Sequence, residues 1–187
     1  MRVVAGALGG RRLTAPRGLE TRPTSDRVRE ALFSALGDLA GARVLDLFAG
    51  TGALGIEALS RGATHAIFVE NARAALAALR ENLATLDLTA RTRIIAQPVA
   101  SAVAALGGAR ARSPNVNGPF DLVFVDPPYA VVASLPPILA ELAPALAPEA
   151  RLVLEHAAKD PPPAFASLVA GRTRIYGSTA VTTYAAS

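Results

Sequence analysis

Cysteine is absent from all 187 residues, which excludes disulfides, thiolate nucleophiles and cysteine-ligated zinc together. Histidine is scarce, with only His65 and His156 present and far apart, so a histidine-rich metal site is not expected. Internal repeats are missing, and no run approaches the roughly 18 consecutive apolar residues of a membrane span. Glycines and the Arg11-Arg12 pair interrupt the opening before any secretory cleavage pattern. These absences predict a soluble, cytoplasmic, metal-free protein with no membrane partner.

What is present is 51% hydrophobic, enough for one domain with a substantial core. The net charge of +4 is unevenly spread. Residues 1–30 hold seven arginines (2, 11, 12, 17, 22, 27 and 29) against Glu20, Asp26 and Glu30, and the rest of the chain balances. The whole excess therefore sits at the N-terminal end, as expected of a phosphate-contacting arm on a neutral body. Planar guanidinium groups suit bidentate phosphate contacts.

The glycine- and proline-rich stretch to Arg22 reads as a hairpin or extended arm, which sets residues 1–24 apart from a single domain over 25–187. Thr24 and Ser25 offer an N-cap, and Val28, Ala31, Leu32, Ala35 and Leu36 form the apolar stripe of a helix. Beyond it strands and helices alternate: strands over 43–48, 65–70, 93–96, 120–125 and 151–155, and helices over 52–60, 73–86, 101–106 and 135–146. A hairpin follows, with strands 172–176 and 180–184 around Gly177-Ser178. Residues 107–119, rich in glycine, proline and asparagine, read as a mobile surface loop. This order predicts an α/β fold, a doubly wound, mostly parallel seven-stranded sheet covered on both faces, with a small N-terminal hairpin.

Asp46-Leu47-Phe48-Ala49-Gly50-Thr51-Gly52 places a glycine loop between a strand and a helix. Gly50, Gly52 and Gly55 also satisfy the dinucleotide pattern, and Glu70 lies near the spacing for a ribose contact. Charge separates the two ligands: a pyrophosphate wants amide donors without a nearby carboxylate, whereas S-adenosylmethionine carries a sulfonium and an ammonium against one carboxylate. Asp46 opposes the first ligand and suits the second. Glu70 accepts ribose hydroxyls in either case.

Asp126-Pro127-Pro128-Tyr129 follows a buried strand at the carboxyl edge of the sheet, where such folds place ligands. An exocyclic amino group is a weak nucleophile, because its lone pair is delocalised into the ring. The Asp126 carboxylate and the Pro127 carbonyl can each accept one of its N–H bonds, two prolines fix the backbone, and Tyr129 offers a stacking face. The implied reaction is in-line methyl transfer to a base nitrogen.

On these residues the chain resembles the class I methyltransferases. More narrowly it resembles the bacterial RsmD family of small-subunit rRNA guanine-N2 methyltransferases. Arg2-Val3-Val4-Ala5-Gly6 with Gly10-Arg11-Arg12-Leu13 and Pro16 is similar to that family's opening hairpin, and Thr21 to Phe33 to its signature helix start. The resemblance implies methylation of guanine N2 in 16S rRNA, guanine 966 in the family's name, by a monomer acting on the assembled or assembling small subunit. It implies cofactor contacts from Asp46, Phe48, Ala49, Gly50, Thr51, Gly52, Glu70 and Asn71, catalytic roles for Asp126, Pro127, Pro128 and Tyr129, and rRNA contacts from Arg2, Arg11, Arg12, Arg22, Arg27 and Arg29. One departure concerns adenine: where many methyltransferases carry Asp or Asn, this chain reads Gln97-Pro98-Val99, so Gln97 or the Val99 backbone takes that role. A nicotinamide oxidoreductase, a DNA adenine-N6 methyltransferase and a non-catalytic ribosome-assembly factor remain as rivals.

Overall fold

In the computed structural model, which describes residues 1–16, 26–108 and 119–186, the alternating pattern folds into one seven-stranded sheet. The strands are β1 (Arg43–Leu47), β2 (His65–Val69), β3 (Thr92–Ile95), β4 (Phe120–Val125), β5 (Leu146–Ala157), β6 (Leu168–Tyr176) and β7 (Thr179–Ala186), in the spatial order β3-β2-β1-β4-β5-β7-β6. The first five run parallel. β6 and β7 form an antiparallel hairpin that joins the sheet through β7 against β5. The order reverses between β1 and β4, so both strands deliver their carboxyl ends to the switch point of the sheet, where a crevice opens.

Parallel strands covered on both faces read as continuous apolar runs, and side-chain alternation splits the core in two. Val44, Phe68, Leu122, Phe124 and Val153 pack on one face, under α1 (Asp26–Leu36), α2 (Ala53–Ser60) and α3 (Arg73–Thr85). Leu45, Val69, Val123, Val125 and Leu154 pack on the other, under α4 (Val99–Gly107) and α5 (Leu135–Ala140). Asp46 alternates onto the α1 face.

Two helical expectations need correcting. The helix expected over 135–146 ends at Ala140, with a six-residue 3₁₀ helix before it and a single 3₁₀ turn after it. Pro144 has no amide to give the carbonyl of residue 140, and its ring would clash there. On α1 the buried stripe is Arg29, Leu32, Phe33 and Leu36, while Ala35 is exposed. Phe33 anchors that stripe, its ring 5.5 Å from Phe124 and 5.0 Å below the Arg61 guanidinium, and burying such a side chain stabilises by about 1.5–3 kcal/mol.

The N-terminal hairpin does form, through an Arg2–Arg12 bridge with Val3 N–H donating to the Arg11 carbonyl and Gly10 N–H to the Val3 carbonyl. It lies against the body. Val3 and Leu13 enter the core, the Glu57 carboxylate accepts from the amides of Val4 and Ala5, and the Ser60 hydroxyl accepts from Leu8. Gly6 lies against α2 so closely that a Cβ there would stand 2.0 Å from the Ser60 carbonyl oxygen. The expected Thr24-Ser25 cap and nearly all of the expected 107–119 loop lie outside the described residues. Among the described residues no helix is long and apolar enough to cross a membrane.

Candidate active site

Near its carboxyl end β1 carries Asp46, 1% exposed, whose carboxylate accepts the Gly55 amide at 2.9 Å. The contact requires glycine at 55, since a Cβ there would meet Phe68 at 2.4 Å. After β1 the backbone turns through the left-handed region at Phe48, Gly50 and Gly52, a conformation disfavoured for any residue but glycine. At Phe48 this strain places an aromatic ring on the cleft wall.

Glu70, just beyond β2, holds the same loop from the other side. One carboxylate oxygen accepts from Gly50 N–H at 2.8 Å, and the other from Asn71 and Ala72 at 2.8 and 2.7 Å. Glu70 thus ties the glycine loop to the start of α3. Burial pushes the Asp46 carboxyl up to about 7, partly offset by the Gly55 hydrogen bond and reinforced by repulsion from Glu70.

β4 delivers Asp126 beside Asp46, with its amide reaching the Leu47 carbonyl. Burial, then repulsion from Glu155 and Asp46, holds the Asp126 carboxyl well above the usual carboxylate range. The Tyr129 hydroxyl is hydrogen-bonded to Thr179 Oγ1 at 2.8 Å, which fixes a partly exposed ring to the start of β7.

These residues surround one cleft of about 680 Å³. It is lined by Asp46, Phe48, Ala49, Gly50, Thr51, Glu70 and Asn71, and by Asp126, Pro127, Pro128 and Tyr129. Gly52 lies behind it, buried against Leu79. Gln97 and Val99 line an adjoining cavity of about 210 Å³ with Val69, Pro98, Leu135 and Ile138, and the two spaces share Phe48, Glu70 and Asn71.

Sequence reasoning missed three features. Glu155, buried in β5 at 9% exposure, lines the main cleft; its signal was a carboxylate following the apolar run Leu152–Leu154 at the same sheet edge as Asp46. Met1 and Pro16 of the hairpin also line that cleft. Asn82 on α3 accepts from Thr14 N–H and donates to the carbonyls of Thr14 and Thr51.

The arginines divide. Arg2, Arg11, Arg12 and Arg27 are exposed, Arg2 pairing with Asp26 and Arg11 donating to the Thr85 carbonyl. Arg22 lies outside the described residues. Arg29 corrects the expectation of a surface phosphate contact: it is 1% exposed, ion-paired to Asp26 at 2.7 Å, hydrogen-bonded to the Arg2 carbonyl, and part of the cleft wall. No group of three potential metal ligands occurs among the described residues.

A family model described as "Conserved hypothetical protein 95" matches residues 1–185. The chain belongs to this family, the RsmD family. Among RsmD relatives, "Putative rRNA methyltransferase YlbH" of Bacillus subtilis is 39% identical over 98% of both chains. "Ribosomal RNA small subunit methyltransferase D" of Escherichia coli is 42% identical, over 69% of this chain and 60% of its own length. The solved structure of "Putative methyltransferase yhhF" from Escherichia coli superposes with a TM-score of 0.83 at 36% identity, covering 100% of this chain and 97% of that one. The architecture is that of the class I methyltransferases.

Proposed function

We propose that this chain transfers the methyl group of S-adenosylmethionine to the exocyclic N2 of one guanine in 16S rRNA, the guanine 966 of the family's name. It acts as a cytoplasmic monomer on the assembled or assembling small subunit. One observation carries the reading: the Asp46 loop and the Asp126-Pro127-Pro128-Tyr129 turn open onto the same cleft.

The residues present fit the cofactor. Asp46, Glu70, Asp126 and Glu155 all face this space, and burial with repulsion from neighbouring carboxylates raises the pKa of Asp46 and Asp126. Such a lining favours a cationic sulfonium with its ammonium and disfavours the pyrophosphate of a nicotinamide dinucleotide. Glu70 sits where ribose hydroxyls would be accepted, and the apolar side cavity at Pro98 and Val99 suits a flat adenine.

Bound S-adenosylmethionine supplies an electrophilic methyl whose C–S electron pair stays on sulfur as the new N–C bond forms. Asp126 accepts one N–H of the target amine and takes the proton that nitrogen gives up. The Pro127 carbonyl accepts the other N–H, directing the lone pair at the methyl. Tyr129, tethered by Thr179, stacks on the base, while the exposed arginines of the hairpin and α1 contact rRNA phosphates. A single displacement of this kind calls for neither a covalent intermediate nor a metal.

The test is labelled methyl transfer to small subunits from cells lacking the modification, followed by mass mapping of the product nucleotide. Asp126→Ala is expected to abolish transfer while S-adenosylhomocysteine still binds. Full activity in that variant overturns the mechanism, and stabilisation by NAD but not S-adenosylhomocysteine overturns the cofactor assignment.

A further inference from the structure

β4 and β5 run parallel in the register Val125–Leu154, so Asp126 and Glu155 follow one another across adjacent strands. Alternation sends both to the α1 face: Phe124 and Val153, two residues earlier on each strand, pack in that core, while Val125 and Leu154 point to the opposite one. Glu155 is nearly buried and lines the cleft with Asp126, Pro127 and Tyr129. Glu155 also contributes to the raised pKa of Asp126, so the two carboxyl groups sense each other. Two carboxyl groups thus stand side by side at the catalytic turn, which directs attention to what the pair would bind.

The Asp-Pro-Pro-Tyr turn treats exocyclic amines alike: adenine N6 and guanine N2 each offer it the same two N–H donors. The bases differ at the neighbouring ring atom. Beside N2, guanine presents N1–H, a donor; beside N6, adenine presents the N1 lone pair, an acceptor. Two adjacent carboxylates match donor next to donor, and set a negative oxygen against adenine's lone pair.

We propose that Glu155 is a specificity-determining residue that accepts the N1–H of the target guanine while Asp126 accepts an N2–H, so that the paired carboxylates read guanine and refuse adenine. The assignment rests on the guanine-N2 reading above. A base that presents an acceptor at N1 forgoes this hydrogen bond and sets its lone pair against a carboxylate oxygen.

The experiment uses reconstituted small subunits bearing guanine or 2-aminopurine at the target position; 2-aminopurine keeps the N2 amine but has an acceptor at N1. The full-length wild type is expected to prefer guanine by on the order of 10²–10⁴ in kcat/KM. Glu155→Gln, whose amide can turn its NH₂ toward that acceptor, is expected to shrink the preference at least about tenfold, through the new hydrogen bond. Its Tm should stay near wild type. Because the quantity read is a ratio within one enzyme, the intrinsic reactivities of the two bases cancel between variants. Should Glu155→Gln fold poorly, Glu155→Ala is read the same way, with loss of preference expected from loss of the acceptor. A preference unchanged by substitution overturns the role of Glu155 alone. Absence of transfer to guanine by the wild type overturns the guanine reading and this assignment with it.

Discussion

Thr14 of the N-terminal hairpin and Thr51 of the glycine loop are held by one side chain: Asn82 Nδ2 donates to the carbonyls of both at 3.0 Å, and its Oδ1 accepts the Thr14 amide at 2.7 Å. The hairpin proposed to meet rRNA is thereby fastened to the loop proposed to meet the cofactor. Asn82→Ala leaves buried backbone groups without partners, a loss of about 2–4 kcal/mol. For a chain of this size that lowers Tm by roughly 4–16 °C, and S-adenosylhomocysteine should bind more weakly. An unchanged Tm in calorimetry would show that the link has no energetic weight.

Much of this was legible in the sequence, for identifiable reasons. The buried strands announced themselves as short apolar runs ending in Asp46 and Asp126, and a carboxylate at the edge of a parallel sheet reads as chemistry. Glu155 stayed hidden because its place beside Asp126 is a fact of β4–β5 register, which residue spacing does not encode. Periodicity gave α1 a helix and, through Leu32 and Leu36, part of its buried face, but no apolar pattern anticipates Arg29 buried beside Leu32, Phe33 and Leu36. Charge counting located the basic end of the chain without separating the exposed Arg2, Arg11, Arg12 and Arg27 from the buried Arg29.

That separation is testable. Arg11→Ala with Arg12→Ala removes two exposed cations, so the slope of log K against log salt should flatten by about 0.7–0.9 for each phosphate left without its arginine. Tm should scarcely move. Arg29→Ala removes a buried guanidinium bonded to Asp26 and the Arg2 carbonyl, and is expected to cost about 2–4 kcal/mol. Equal salt slopes in wild type and the double variant, measured by filter binding, would refute phosphate contacts at Arg11 and Arg12.

Two glycines of the hairpin should respond differently to alanine. Gly6 and Gly10 both have positive φ, but a Cβ at Gly10 meets nothing within 4 Å, whereas at Gly6 it runs into the Ser60 carbonyl. Gly10→Ala should cost only the conformational penalty, about 1–2 kcal/mol. Gly6→Ala must displace the hairpin from α2, so methyl transfer to rRNA should fall at least as far as Tm does. Similar Tm losses in the two variants would contradict the docking described.

The buried carboxylates make stability depend on pH in a direction opposite to that of ordinary salt-bridged acids. Asp46 titrates near 7 in the folded chain, against the usual 3.8. Between about pH 4 and pH 7 the folded protein therefore holds a proton that the unfolded chain has released. Raising the pH through that window removes it and favours unfolding, a loss on the order of 4 kcal/mol that levels off above pH 7. Asp126, also raised, pushes the same way. A cationic ligand prefers the ionised carboxylates, so S-adenosylmethionine affinity should rise with pH over the range in which the ligand-free protein weakens. Asp46→Asn should flatten the stability profile and lose the affinity. Melting curves of the ligand-free protein from pH 5 to 8, paired with calorimetric titrations, decide the matter. A Tm that climbs with pH would mean that Asp46 is ionised throughout, and that the cleft does not store the charge its cofactor is proposed to meet.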